Sequence, residues 1–175
     1  MNTRFSPALV AGFAAAVLST IPFMSFMSCC LIIPGASILA LSFHFKIVGL
    51  YRIKTKEAII IGLTTGMFAA LFMTAFDFLI TYLTKTNNFS QSFTEAEKMF
   101  RSLLLDNKSM TPAEFDMAMS PLRKMVYDIN TTGLSAFYTA TIFLQNLFGN
   151  SLFGSLGGII GASLFKKKIN NINNQ

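Results

Sequence analysis

The sequence predicts an all-α integral membrane protein: a bundle of four transmembrane helices with a helical extracytoplasmic segment between the third and fourth. Three observations carry this expectation. Charged residues make up only 13% of the chain and hydrophobic ones 53%, whereas a soluble domain carries about 25% charged residues. Three long stretches hold almost no charge, and each has room for one or two spanning helices. The remaining charges cluster in one central island and at the ends of those stretches. They are too few to dress a water-facing enzyme, and nineteen Phe residues exclude a disordered chain. With 175 residues the chain reads as a single membrane domain, 1–175, in line with about 100–200 residues per domain.

The first uncharged stretch runs from Phe5 to Phe45, 41 residues. A spanning helix takes about 20 apolar residues, so two fit. They fall near 6–25 and 29–46, with Pro22 close to the middle and Ser25-Phe26-Met27-Ser28 as the turn. The second stretch, Ala58 to Thr84, is broken only by Asp77 and makes a third span near 58–83. The third stretch, Ile129 to Phe165, has 37 residues. That suits one long helix with its first turns outside the lipid, spanning near 140–165 and open to bending at Gly149-Asn150.

Lys85 to Asp128 holds twelve charges in 44 residues, six of each sign, and 85–130 reads as an amphipathic helical insertion. Ser92-Phe93-Thr94-Glu95 matches a capping box, in which the Ser and Glu side chains satisfy orphan N–H groups at a helix start. Phe93, Ala96, Phe100, Leu103 and Leu104 then recur at helical spacing. Thr111-Pro112-Ala113-Glu114 signals a second start, with Pro where its missing N–H costs nothing. A stripe of Phe115, Met119, Leu122, Val126 and Ile129 follows, and Pro121 is expected to interrupt or restart that helix. Both stripes read as packing against a partner helix or lipid headgroups. The Asn-rich tail, 169–175, is expected to be disordered.

Lys and Arg in short loops and tails mark the cytoplasmic side of a membrane protein. Arg4, Lys46, Arg52, Lys54, Lys56, Lys166, Lys167 and Lys168 all fall on one side of a four-span layout. The island is neutral, so the pI of 9.5 is an orientation signal and not a nucleic-acid footprint. Both termini are therefore expected in the cytoplasm and 85–130 outside it. Tyr51 and Tyr82, at the two ends of the third span, suit the interfacial belts.

Asp77 is the leading polar candidate. A carboxylate at the centre of a span costs about 2.5–3.5 kcal/mol on insertion scales and nearly always faces protein or water. Gly62, Gly66, Ala70, Thr74, Asp77 and Thr81 follow one another at helical steps, so Asp77 is expected to point into the bundle. Gln145, Asn146 and Asn150, at similar depth on the last span, are its expected hydrogen-bond donors. A structural hydrogen bond is the leading reading and a proton or cation site the alternative, since transport pathways usually line up several ionisable groups. Small residues let helices approach closely, which makes Gly62, Gly66 and Ala70 one packing seam and Gly154, Gly158 and Gly161 another. Ala8, Gly12 and Ala16 form a weaker third.

Cys29 and Cys30 are adjacent, which disfavours a bridge between them, and read as buried inert thiols. One histidine, His44, excludes an HExxH protease and a His-based zinc site; it reads as an interfacial polar group. No phosphate loop and no cofactor motif is present in the sequence, so neither metal nor cofactor is expected.

Three local patterns carry a resemblance. Gly49-Leu50-Tyr51-Arg52 precedes a span opening with Glu57-Ala58 and Gly62; Met110-Thr111-Pro112-Ala113-Glu114 opens a helix; Gly157-Gly158-Ile159-Ile160-Gly161-Ala162 runs into Lys166. Over most of its length the chain resembles the small four-span inner-membrane proteins of unknown function that are widespread in bacteria. The resemblance implies a bacterial plasma membrane and the four-span layout, and it carries over no activity and no site residues.

The functional expectation is a non-catalytic membrane protein, an accessory or structural subunit of a larger assembly. Its partners would be the lipid bilayer and other membrane subunits or copies of itself, with no nucleic acid. The alternative is a small ion- or proton-coupled transporter or channel using Asp77.

Overall fold

The computed structural model describes residues 5–21, 24, 27–48, 54–107 and 109–173, without the side chains at 29, 48 and 167–173. Among the described residues the chain is all-helical, with no strand. The helices are α1 (Ser6–Ser19), α2 (Ile33–Val48), α3 (Thr55–Thr84), α4 (Asn88–Asp106), α5 (Pro112–Thr132) and α6 (Ala136–Asn173). A π-helical turn, Ser28–Ile32, leads into α2. Of these, three are long and apolar enough to cross a membrane, over Cys30–Ile47, Thr55–Thr84 and Ala136–Lys166. The chain divides into two compact units: Met1–Phe76 with Ile142–Gln175, and Asp77–Thr141.

The span expected over 6–25 is a shorter helix. α1 has 14 residues, about 21 Å of rise against a hydrocarbon core of about 30 Å. It ends because the chain turns to tighter bonding: Thr20 N–H donates to the Val17 carbonyl, and the Thr20 hydroxyl caps the same oxygen at 2.7 Å. Pro22 follows two residues on and has no N–H to continue the ladder. The expected turn at Ser25-Phe26-Met27-Ser28 lies partly outside the described residues, as do Arg4 and Gly49-Leu50-Tyr51-Arg52.

In the first unit, Ser6, Pro7 and Val10 share a shallow groove with Phe43, Lys46 and Ile47, so α1 runs antiparallel to α2. Gly12 of α1 lies on the backbone of Thr65 and Ala69, and Phe13 packs edge-on to Phe72 at 5.2 Å between ring centroids. Gly157 rests on Pro34, Gly161 on Ile38 and Leu41, and Phe165 on Phe45, so α2 and α6 run parallel. The interior is built of small residues, with Ala15, Ala40, Ala58 and Ala69 almost wholly buried. Large side chains stay outside: Leu31, Leu39, Ile60, Leu71, Leu152 and Phe148, the last 75% exposed. A soluble protein hides its Leu and Phe. Such a surface is compatible with lipid, where close packing and interhelical hydrogen bonds hold helices together.

Several hydroxyls of these helices are satisfied within their own helix. Ser37, Ser42, Thr65, Ser155 and Ser163 each donate to the carbonyl one turn back, at 2.7–3.1 Å. No hydroxyl in that set asks the surroundings for a partner, which removes a cost that lipid could not offset.

The second unit is a helical hairpin, α4 and α5, between the end of α3 and the start of α6. Lys85, at φ 54, breaks α3. α4 then opens at Asn88, five residues before the first helical position signalled by Ser92-Phe93-Thr94-Glu95. Asn87 is the cap: its side chain accepts from Ser90 N–H at 2.8 Å, and Ser90 Oγ accepts from Asn87 N–H. Asn is as strong an N-cap as Ser, and it comes first. α5 begins where Thr111 and Pro112 predict, with Thr111 and Glu114 closing a capping box. The Thr111 N–H and hydroxyl hold the Glu114 carboxyl below its ordinary value of 4.5.

Pro121 does not break α5, which runs on to Thr132. Contacts are made on both sides of it. Phe115 before it and Met125 and Ile129 after it are buried on one face. Arg123 bonds Glu97 of α4 through Nε at 2.8 Å and Asp116, across the proline, at 2.9 Å. Those two carboxylates push the guanidinium pKa further up. Gly133 ends the helix at φ 75, a left-handed cap, with its Cα against the Tyr82 backbone. Beyond the expected span, α6 continues through Asn173 into the tail for which disorder is expected.

Candidate functional site

Two arrangements within the long helices involve polar groups, one in each unit. In the first unit α3 and α6 cross antiparallel along a glycine seam. Gly62 lies on the Gly154 carbonyl, Gly66 on the Asn150 carbonyl, Gly154 on the Gly62 carbonyl and Gly158 on the Ala58 carbonyl. A methyl at any of the four would overlap backbone. Gly161 belongs to a different contact, on α2, and Ala70 is fully buried on the seam-bearing helix. The two helices therefore touch main chain to main chain, and no channel passes between them there.

Polar side chains bridge the same pair. Asn146 Nδ2 donates to the Thr74 hydroxyl at 3.1 Å. Asn150, buried at 3% exposure, aims its Nδ2 at the Met73 sulfur at 3.1 Å. Thioether sulfur is a weak acceptor, so this contact satisfies the amide only in part. Gln145 is exposed. The expected donors to Asp77 thus find Thr74 and Met73, and Gln145 turns outward.

In the second unit Asp77 is half-buried, and the Tyr138 hydroxyl lies beside its carboxylate. Tyr138 sits in the first turn of α6 with 8% of its surface exposed. Ser135 Oγ accepts its N–H at 3.4 Å, and the Phe89 ring of α4 lies 6.2 Å from its own. These contacts fix where the phenol points. Tyr138 went unnoticed in the sequence, although a Tyr at the head of an apolar helix is the residue type that buries a ring and keeps a polar handle for a partner. One turn beyond Asp77, the Thr81 side chain is 4% exposed and its hydroxyl has no partner. Among the described residues it is the one buried hydroxyl left so.

The remaining candidates lie elsewhere. Cys30 is free and exposed, a correction to the expectation of a buried thiol: the π-helical turn rotates it outward, against the burial of Ser28 in the same turn. The Cys29 side chain lies outside the described residues. His44 is buried at 8% exposure in the last turns of α2. Among the described residues no three His, Cys, Asp or Glu side chains gather into a group that could hold a metal. Comparison with protein families, with curated proteins and with solved structures finds no match to this chain.

Proposed function

We propose that the chain is a non-catalytic multi-pass protein of a bacterial inner membrane, serving as an accessory or structural subunit of a larger membrane assembly. In this reading α1 is the fourth helix in lipid, although it is the shortest. Its outward side chains, Val10, Phe13, Val17 and Leu18, are as apolar and exposed as those of its neighbours. Both termini lie in the cytoplasm with the lysine-bearing ends, and 85–130 lies outside.

The glycine seam is the observation that carries a structural role. Main chain pressed on main chain at Gly62, Gly66, Gly154 and Gly158 leaves no lumen between α3 and α6. Asn146 and Asn150 are taken up by Thr74 and Met73, and so do not line a path. A transporter using Asp77 is the competing function, drawing on the one acidic residue between Ala58 and Thr84.

Purification in mild detergent with mass spectrometry of the co-purifying chains separates the two. A subunit brings the same membrane partner in fixed stoichiometry, and Asp77→Asn leaves that stoichiometry unchanged. A chain that purifies alone, with a proton- or cation-dependent flux in proteoliposomes that Asp77→Asn abolishes, overturns the proposal.

A further inference from the structure

We infer that Asp77, Tyr138 and Thr81 form a binding site for a small monovalent cation at the head of α6. Three oxygen-bearing side chains are available on the two helices. The Asp77 carboxylate and the Thr81 hydroxyl stand four residues apart on α3, which places them on one face with Cβ atoms about 5–6 Å apart. The Tyr138 phenol meets the carboxylate from α6.

Thr81 is the independent observation. Thr64, Thr65 and Thr84 on the same helix each donate to the carbonyl one turn back. Thr81 does not, and its oxygen is buried without a partner. A buried hydroxyl with no partner at all is uncommon, and its oxygen is open to a ligand. Oxygen ligands of this kind suit hard cations, and carboxylate with neutral oxygens is their usual set.

Charge decides the valence. One carboxylate and two neutral hydroxyls carry a single negative charge, which a monovalent ion cancels and a divalent ion would reverse. An uncancelled charge in an apolar setting is the expensive outcome. Among the described residues no basic group pairs with Asp77: the Phe89 ring lies beside that of Tyr138, Gly133 packs on the Tyr82 backbone, and the next basic residue along the chain, Lys85, is exposed. The site does not depend on the subunit reading, because a resident ion needs no pathway.

The test is thermal unfolding of the full-length protein in detergent, in sodium chloride against choline chloride at equal ionic strength. Sodium raises Tm by about 3–6 °C once it exceeds its Kd about tenfold, and choline does not. Asp77→Asn abolishes the sodium response. Thr81→Val, which keeps shape and charge, weakens it about tenfold in sodium midpoint, and Tyr138→Phe does likewise. Equal Tm in sodium and choline means that water or a proton fills the site, and overturns the inference. So does a sodium response that survives Asp77→Asn or is unchanged in Thr81→Val.

Discussion

Gly66 of α3 and Asn150 of α6 meet backbone to backbone, so close that a Cβ on Gly66 would fall on the Asn150 carbonyl. In lipid, where apolar side chains gain nothing by leaving the solvent, such contact is what binds two helices. The seam is therefore the part of the molecule on which its stability most depends.

Gly66→Ala forces the helices apart and should destabilise the protein by about 1–3 kcal/mol or more, the usual cost of overpacking. Gly149→Ala is the control, since a Cβ there meets nothing within 4 Å. It should be neutral or stabilising by up to about 1 kcal/mol through helix propensity. Unfolding in graded detergent, read by circular dichroism, compares the pair.

Asn146 and Thr74 are coupled across the same helices at 3.1 Å. A double-mutant cycle with Asn146→Leu and Thr74→Val should give a coupling of about 0.6 kcal/mol, and no more than about 1.7, the range found for hydrogen bonds within membranes. Zero coupling would mean that the bond does not form in lipid.

Pro121 lies exposed inside α5 and interrupts its hydrogen-bond ladder. Pro121→Ala restores the N–H to the Met117 carbonyl and should stabilise α5 by about 1–3 kcal/mol. Slower amide hydrogen exchange over 112–132 is the readout, and unchanged exchange would count against an intact helix through the proline.

The start of α5 should weaken in acid. Glu114 is held below its ordinary value by the Thr111 N–H and hydroxyl. A depressed carboxylate contributes stability that is present above its unfolded pKa and lost as pH falls through the lower, folded one. Fraying at 111–115 should therefore set in as pH falls below the ordinary carboxylate range, and Glu114→Gln should remove that pH dependence. At neutral pH Thr111→Ala should cost the cap about 1 kcal/mol. Hydrogen exchange at the first turn, followed against pH, checks both.

Much of the helical layout can be read from charge alone. Runs without Asp, Glu, Lys or Arg foretell long apolar helices, and the Thr111-Pro112-Ala113-Glu114 signal marks its helix start because the cap is local chemistry. Local chemistry also misleads. Ser92 offers a cap that Asn87 has already supplied, and Pro121 breaks no helix because Arg123 ties Asp116 to Glu97 across it. The polar site was half legible. Asp77 announces itself as a charge in an apolar run, but its partner depends on how α3 and α6 align. That alignment sends Asn146 to Thr74 and brings Tyr138 to Asp77, a tertiary fact that spacing along one helix does not contain.

The account as a whole rests on four helices in lipid, and reporter fusions test that directly. Reporters active only in the cytoplasm or only outside it, fused at the N-terminus, at the C-terminus and between α4 and α5, locate each point. Both termini in the cytoplasm with the α4–α5 turn outside is the predicted result. Termini in opposite compartments would make α1 a surface helix, leave the three long helices as the only spans, and contradict the four-helix arrangement.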